Sequence, residues 1–211
     1  MTTELLTRLI EAADTTISGH AAQLDALDEA IGDGDHGTNL ARGLAVLNEQ
    51  RQQLAAMPLA QALDHAAVVI EREVGGAGGT FYAALLIGMA RAAPAGNPGL
   101  ADLAAMLRAG VAAVQAKGHA RKGEKTLVDV LLPSAQVLDA LVAEGRTDQI
   151  GARVLAAAAH GLHSTTHMIA KHGLAAALEA ASVNRLDAGA CSCALLIGAC
   201  VGVLEQPAQA A

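Results

Sequence analysis

Apolar residues recur at intervals of three and four along almost the whole chain, and no stretch alternates apolar with polar as a half-buried strand would. Leu5, Leu6, Leu9, Ile10, Ala13 and Ile17 mark one face of a first helix that runs to about Leu24. Leu40, Leu44, Leu47 and Leu54 mark a second. A third spans Leu59 to about Arg72, with Pro58 where a missing N–H costs nothing. Gly75–Gly79 interrupts the pattern, which resumes from Thr80 to about Ala93. Beyond the turn-rich "PAGNPG" lie helices over Leu100–Lys117 and Thr126–Glu144, then a long one from about Thr147 to His172. An alanine-rich segment follows, and a last helix opens near Asp187 and ends before Pro207. Roughly eight helices with no long linker predict an all-α fold: a single-domain antiparallel eight-helix bundle or barrel over residues 1–211.

Polar segments fall at alternate helix junctions: Asp28–Asn39, Gly75–Thr80, Gly118–Lys125 and Asn184–Gly189. In an up-and-down bundle alternate junctions lie at the same end, so these four loops are predicted to gather around one mouth.

Composition narrows what that mouth can hold. Hydrophobic residues make up 53% of the 211, yet the aromatics are Phe81 and Tyr82 alone, so the core is built of Ala, Leu, Val and Ile. A net charge of −7 opposes nucleic-acid binding, which needs a basic face, and there is little surface for stacking bases. Val74–Ala90, taken as the greasiest uncharged run, holds five glycines and is short for a membrane span. The opening "MTTELLTRLIEAADTT" has early acids and no long apolar run, unlike a signal peptide. Cys191, Cys193 and Cys200 read as buried free thiols, as suits a cytoplasmic protein.

The chemistry begins at Asp28–Arg42, "DEAIGDGDHGTNLAR", where Asp28, Glu29, Asp33 and Asp35 crowd four carboxylates into eight residues. Either they form a solvated turn or they share a multivalent cation. Asp28, Asp33 and Asp35 could offer hard oxygens to Mg²⁺, with Gly32 and Gly34 allowing the tight fold. An EF-hand fails: counted from Asp33, Thr38 stands where glycine belongs and Leu44 where glutamate belongs. His36–Asn39 would open the second helix and favour an anion there. "GGAGGT" (Gly75–Thr80) is either a turn or a helix start whose unshielded amides cradle phosphate. "GEKT" (Gly123–Thr126) lacks Walker spacing. Asp129 either orients that loop or is a paired buried acid. His160, His163 and His167 share a helical face, but no fourth zinc ligand is evident, and a wet or interface-facing stripe fits better.

"LDEAIGDGDHGTNLARG", "GGAGG", "GEKTLVDVLLP" and "LDAGA", in that order from roughly residue 4 to 205, resemble the L subunit, the nucleotide-binding subunit, of dihydroxyacetone kinases. The resemblance implies a barrel of eight antiparallel helices with a nucleotide, ADP or ATP, at one end. It implies that Asp28, Asp33 and Asp35 hold two Mg²⁺ ions. His36, Gly37, Thr38 and Asn39, with Gly76, Ala77 and Gly78, would hold the phosphates. Gly118, Thr126 and Leu127 would lie near the nucleoside, and Asp187 and Gly189 in a closing segment. The implied reaction moves a phosphoryl group onto a small ketose carried by a separate K-type subunit, so no further catalytic residue is expected on this chain. A free-standing L chain with His36 after the last aspartate fits the branch that uses bound ADP and a phosphotransferase-system donor protein, fuelled by phosphoenolpyruvate. A homodimer is compatible with this reading.

The motif departs near its end. "GRASYLGERS…DPGA" is usual, whereas this chain reads "GLAAALEAASVNRLDAGA" (Gly173–Ala190). Leu174 replaces an arginine that reaches the nucleotide, Ala177 a tyrosine, Glu179 a glycine and Ala188 a proline, while Gly78 replaces a serine. Arg185, Lys171, or Arg121 with Lys122 are candidates to compensate. The alternatives are an ATP-dependent kinase subunit for another small ketose, or a degenerate nucleotide-binding regulatory subunit.

Overall fold

The computed structural model describes residues 3–206. Among them are nine α-helices: α1 (Thr3–Glu29), α2 (His36–Glu49), α3 (Arg51–Ala55), α4 (Leu59–Val74), α5 (Gly76–Ala92), α6 (Leu100–Gly118), α7 (Val128–Ala143), α8 (Ile150–Ser164) and α9 (Ala188–Glu205). Short α3 continues α2 past a break at Gln50, so eight long helical units remain. Each packs on its neighbours in sequence, and α9 returns to α1 to close a ring.

Two large apolar clusters fill most of the barrel, beside a smaller one of Ala104, Leu138 and Val154. One joins α1, α2 and α4 through Ile17, Leu24, Leu40, Leu54 and Ile70; the other joins α6 and α7 through Val111, Val114, Val128 and Leu131. α9 belongs to both, sending Cys191 to the first and Ala190 and Cys193 to the second. A fully buried leucine or isoleucine contributes about 1.5–3 kcal/mol, against about 1 kcal/mol net for a hydrogen bond. Packing, rather than the polar loops, therefore holds the barrel. Where helices meet most tightly there is no room for a side chain: a Cβ on Gly37 would lie 2.1 Å from the Ala21 carbonyl oxygen.

Several sequence expectations need correction. α1 runs five residues past Leu24, so Asp28 and Glu29 occupy its last turn and Asp25 the turn before. The glycine interruption shrinks to Gly75, whose φ of 68° suits glycine, and α5 already starts at Gly76. The long helix predicted to reach His172 stops at Ser164; a 3-10 turn (Thr165–His167) and extended Met168 follow. Cys200 is exposed rather than buried. The most apolar long segment is α9, which by length and composition alone could cross a membrane. Its packing on α1, α7 and α8 accounts for that character. Pro207 lies outside the described residues.

Candidate functional site

A cavity of about 390 Å³ opens at one end of the barrel. All four polar junctions reach it, through Asp28–Asn39, Gly75–Gly78, Lys125–Leu127 and Asp187–Gly189, and a fifth stretch, His172–Ala175, forms another wall.

At the acidic junction, Asp28 sits in the last turn of α1, which carries no basic residue. Its carboxylate therefore adds to the negative end of the helix dipole, an arrangement that a cation relieves. Asp28 Oδ2 accepts the N–H of Gly34 (2.9 Å) and of Asp35 (3.2 Å), folding the loop back on itself. Asp33 and Asp35 are exposed. One oxygen from each of the three aspartates lies within 4.8 Å of the others. Three convergent hard donors fit Mg²⁺. Among the described residues this is the one cluster of three or more such groups close enough to share an ion; His160, His163 and His167 do not gather into another.

Asp25, one turn earlier, acts differently. It accepts the N–H of Thr38 (2.9 Å) and its hydroxyl (2.6 Å). Burial pushes the Asp25 carboxyl up, but bonds from Thr38 and the Gly37 N–H outweigh it and hold it below its ordinary value. Gly37 and Thr38 thus direct their amides at a carboxylate of the protein itself.

The start of α5 is less encumbered. Its first backbone bond runs from the Gly79 N–H to the Gly75 carbonyl (2.8 Å), so the helix takes up no amide of Gly76, Ala77 or Gly78. A Cβ on Gly78 would stand 3.4 Å from the His36 ring, so the two predicted anion-binding segments face each other. The His36 ring is fixed from behind: Nε2 lies 2.8 Å from Ser192 Oγ, and the Tyr82 hydroxyl 2.7 Å from the same oxygen. Ser192 gives its single proton to the Gly189 carbonyl (3.0 Å). His36, Ser192 and Tyr82 thus form one hydrogen-bonded chain that holds the imidazole ring in place. Burial lowers the pKa of His36 against the pull of Asp28, Asp25, Asp35 and Asp33.

Across the cavity, Asp129 shapes the third junction by accepting the N–H of Gly123 (2.5 Å) and of Thr126 (2.9 Å). The neighbouring Glu124 carboxylate lies 2.7 Å from His172 Nε2, and that contact, with the Arg121 N–H, holds its pKa low. Asp187 caps α9 through the Ala190 N–H (2.6 Å). Burial pushes its carboxyl up to about 6, with the Ala190 N–H and the Lys125 ammonium pulling the other way.

Of the predicted residues, Asp28, Asp33, Asp35, His36, Asn39, Gly76, Ala77, Gly78, Thr126, Leu127, Asp187 and Gly189 line the one cavity. Gly37 and Thr38 lie behind it. Gly118 stands at the end of α6, where a Cβ would meet the Phe81 ring at 2.5 Å, and Phe81 is itself part of the lining. Leu174 lines the rim and is 62% exposed. Sequence reasoning missed Tyr82, Ser192, Lys125 and His172, whereas it places Leu174 at the nucleotide. A serine inside the apolar run of α9 was the available signal for one of them.

The family profile described as the DAK2 domain matches residues 30–202. The chain belongs to the DAK2 domain family. It is 36% identical over 176 residues to the ADP-binding subunit of PEP-dependent dihydroxyacetone kinase 1 from Listeria innocua, covering 83% of this chain and 84% of that one. It is 30% identical over 209 residues to the D-erythrulose kinase of Mycolicibacterium smegmatis, covering 96% of this chain but 36% of that longer protein. The dihydroxyacetone kinase from C. freundii, solved in complex with AMP-PNP and Mg²⁺, shares the fold with a TM-score of 0.73 at 23% identity. The DAK2 chain described here overlays 94% of its length on 34% of that structure.

Proposed function

We propose that this chain is the nucleotide- and magnesium-binding subunit of a dihydroxyacetone-type kinase. It would pass a phosphoryl group to a small ketose held on a separate K-type subunit, with bound ADP recharged by a phosphotransferase-system protein at the expense of phosphoenolpyruvate. The observation that carries this is the meeting of three aspartate oxygens within 4.8 Å on the wall of a cavity that the amide-rich start of α5 also lines. The PEP-dependent relative, matched over most of both chains, supports the choice of donor.

Phosphoryl transfer is largely positioning and charge neutralisation. Asp28, Asp33 and Asp35 would hold two Mg²⁺ ions, which when bound neutralise the phosphates. Gly76–Gly78 would orient the phosphates through backbone amides, and His36, locked by Ser192 and Tyr82, would bound them on the α2 side. Thr126 and Leu127 would face the nucleoside, with leucine giving adenine an apolar surface.

Reconstitution with a K-type subunit and a phosphotransferase donor protein tests this directly. Ketose phosphate should form from phosphoenolpyruvate with ADP needed only in catalytic amount. A requirement for stoichiometric ATP would overturn the donor. No affinity for Mg·ADP or Mg·ATP even at millimolar concentration would end the kinase reading. Leu174 at the rim and the D-erythrulose kinase match over 96% of this chain favour one second reading, an ATP-dependent subunit serving another small ketose.

A further inference from the structure

Lys125 carries two local costs at once. Its backbone is left-handed, with φ of 62°, unfavourable for a residue bearing a Cβ. Its side chain is also buried, with 2% of the residue exposed, and burial pulls the ammonium below its ordinary pKa. Costs of this kind persist where the surrounding structure uses them.

The use is visible in its partners. Lys125 Nζ donates to the Thr165 carbonyl (2.6 Å), immediately after α8, and to the Arg185 carbonyl, just before the cap of α9. One ammonium thus ties together both ends of the segment 165–187. Two further bonds tighten the same knot, from the Asn184 N–H to the Thr166 carbonyl (2.7 Å) and from the Asp187 N–H to Thr165 Oγ1 (3.3 Å). Between those ends the segment supplies the cavity wall His172–Ala175. It has weak apolar anchoring of its own, since Ile169, Leu174 and Leu178 are all at least 40% exposed. Lys125 also adjoins Thr126 and Leu127, which line the same cavity.

We propose that Lys125 is a positioning residue for the nucleotide: it clasps both ends of the 165–187 segment to the loop before α7 and so sets the spacing of the two walls. The inference rests on the nucleotide-binding reading above, but the clasp itself is measurable without nucleotide.

The test is Lys125→Met in the full chain, which keeps most of the stem and removes the donors. In the nucleotide-free variant, amide exchange over 165–187 should quicken about tenfold or more while α1–α5 stay within about twofold of wild type. The Mg·ADP dissociation constant should rise about tenfold, mainly through faster release. Unchanged exchange over 165–187 in a folded variant would overturn the proposal, and weakened affinity alongside it would make Lys125 a direct ligand instead. Should the variant not fold, acylation of wild-type amines decides. Lys125 should react at least about tenfold more slowly than exposed Lys117, Lys122 and Lys171, and more slowly still with Mg·ADP; reaction at the Lys122 rate would overturn the clasp. Failure of wild type to bind Mg·ADP would remove the functional reading, leaving exchange to judge the clasp.

Discussion

The acidic junction and the closing segment occupy facing sides of one cavity but are assembled in opposite ways. At the acidic junction the side-chain bonds that fold the aspartate loop are local: Asp28 to Gly34 and Asp35, and Asp25 to Thr38, at sequence separations of 6, 7 and 13, whereas the His36 ring just beyond the aspartates reaches Ser192, 156 residues away. The closing segment depends on Lys125 to Thr165, Lys125 to Arg185 and Glu124 to His172, at separations of 40, 60 and 48. Short loops lose little entropy on closing, and long ones order only once the helices between them have packed. The aspartate cluster proposed to bind metal is thus built into one stretch of chain, whereas the covering side exists only in the closed barrel.

If that contrast holds, changes at the acidic junction should alter metal chemistry without touching the fold. The largest effect is expected from Asp33→Asn, which removes an exposed member of the proposed ligand set. Turnover with the partner subunit should fall more than about 100-fold, while the urea midpoint moves by no more than about 0.5 kcal/mol of stability. Full activity in this variant would remove the assigned role.

Gly32→Ala sharpens the same side. A Cβ there would lie 2.3 Å from Asp28 Oδ1, so the carboxylate must swing away from the cluster. Magnesium affinity measured by calorimetry should drop about tenfold, a loss of about 1.4 kcal/mol, with an unchanged melting temperature. A large stability loss with normal magnesium binding would show that the loop is a fold element first.

On the covering side the expected signature is a pH-dependent stability. Asp187 is raised to about 6, because of burial and then because Asp129 and Asp28 oppose its charge. The native state therefore holds this proton more tightly than the unfolded chain. Its stabilising contribution is present below the unfolded pKa and is lost as pH rises through the folded one, between about pH 4 and pH 6. Asp187→Asn keeps an oxygen for the Ala190 N–H and cannot ionise. Its melting temperature minus that of wild type should grow across that window and then level off. A constant difference from pH 4 to 7 would contradict this assignment.

The smallest effect is expected from Leu174→Arg. A guanidinium at this rim position would meet phosphates through charge-assisted bonds, but at 62% exposure solvent screens much of the gain. A tightening of Mg·ADP binding by about two- to fivefold is expected in a titration. A tenfold gain would mean that the segment closes more completely than its exposure suggests.

How much could be read in advance follows the same division. Helical periodicity located the long helices, because burying one face of each is the dominant energy and leaves a three-to-four spacing in the residues. The alternating polar junctions placed four loops at one end, since up-and-down topology leaves them nowhere else. The acidic cluster was legible because its bonds are short-range. The helix boundary near Ser164 was not. "STTHMIAKHG" continues an acceptable helical pattern, and at the point where the helix ends the Thr165 carbonyl accepts a bond from a lysine 40 residues away. Nor could the amides of Gly37 and Thr38 be assigned in advance, because the competing acceptor is Asp25, on another helix.

By itself the amino-acid order determined an all-helical chain, a magnesium-ready trio of aspartates and an amide-rich helix start, all consequences of residue type and near spacing. Tertiary structure alone decided which amides remain available, that His36 meets Ser192, and that Lys125 binds two distant carbonyls. Those outcomes depend on polar groups far apart in the chain competing for the same partners, and the winner is chosen only when the packed helices bring them within hydrogen-bonding distance.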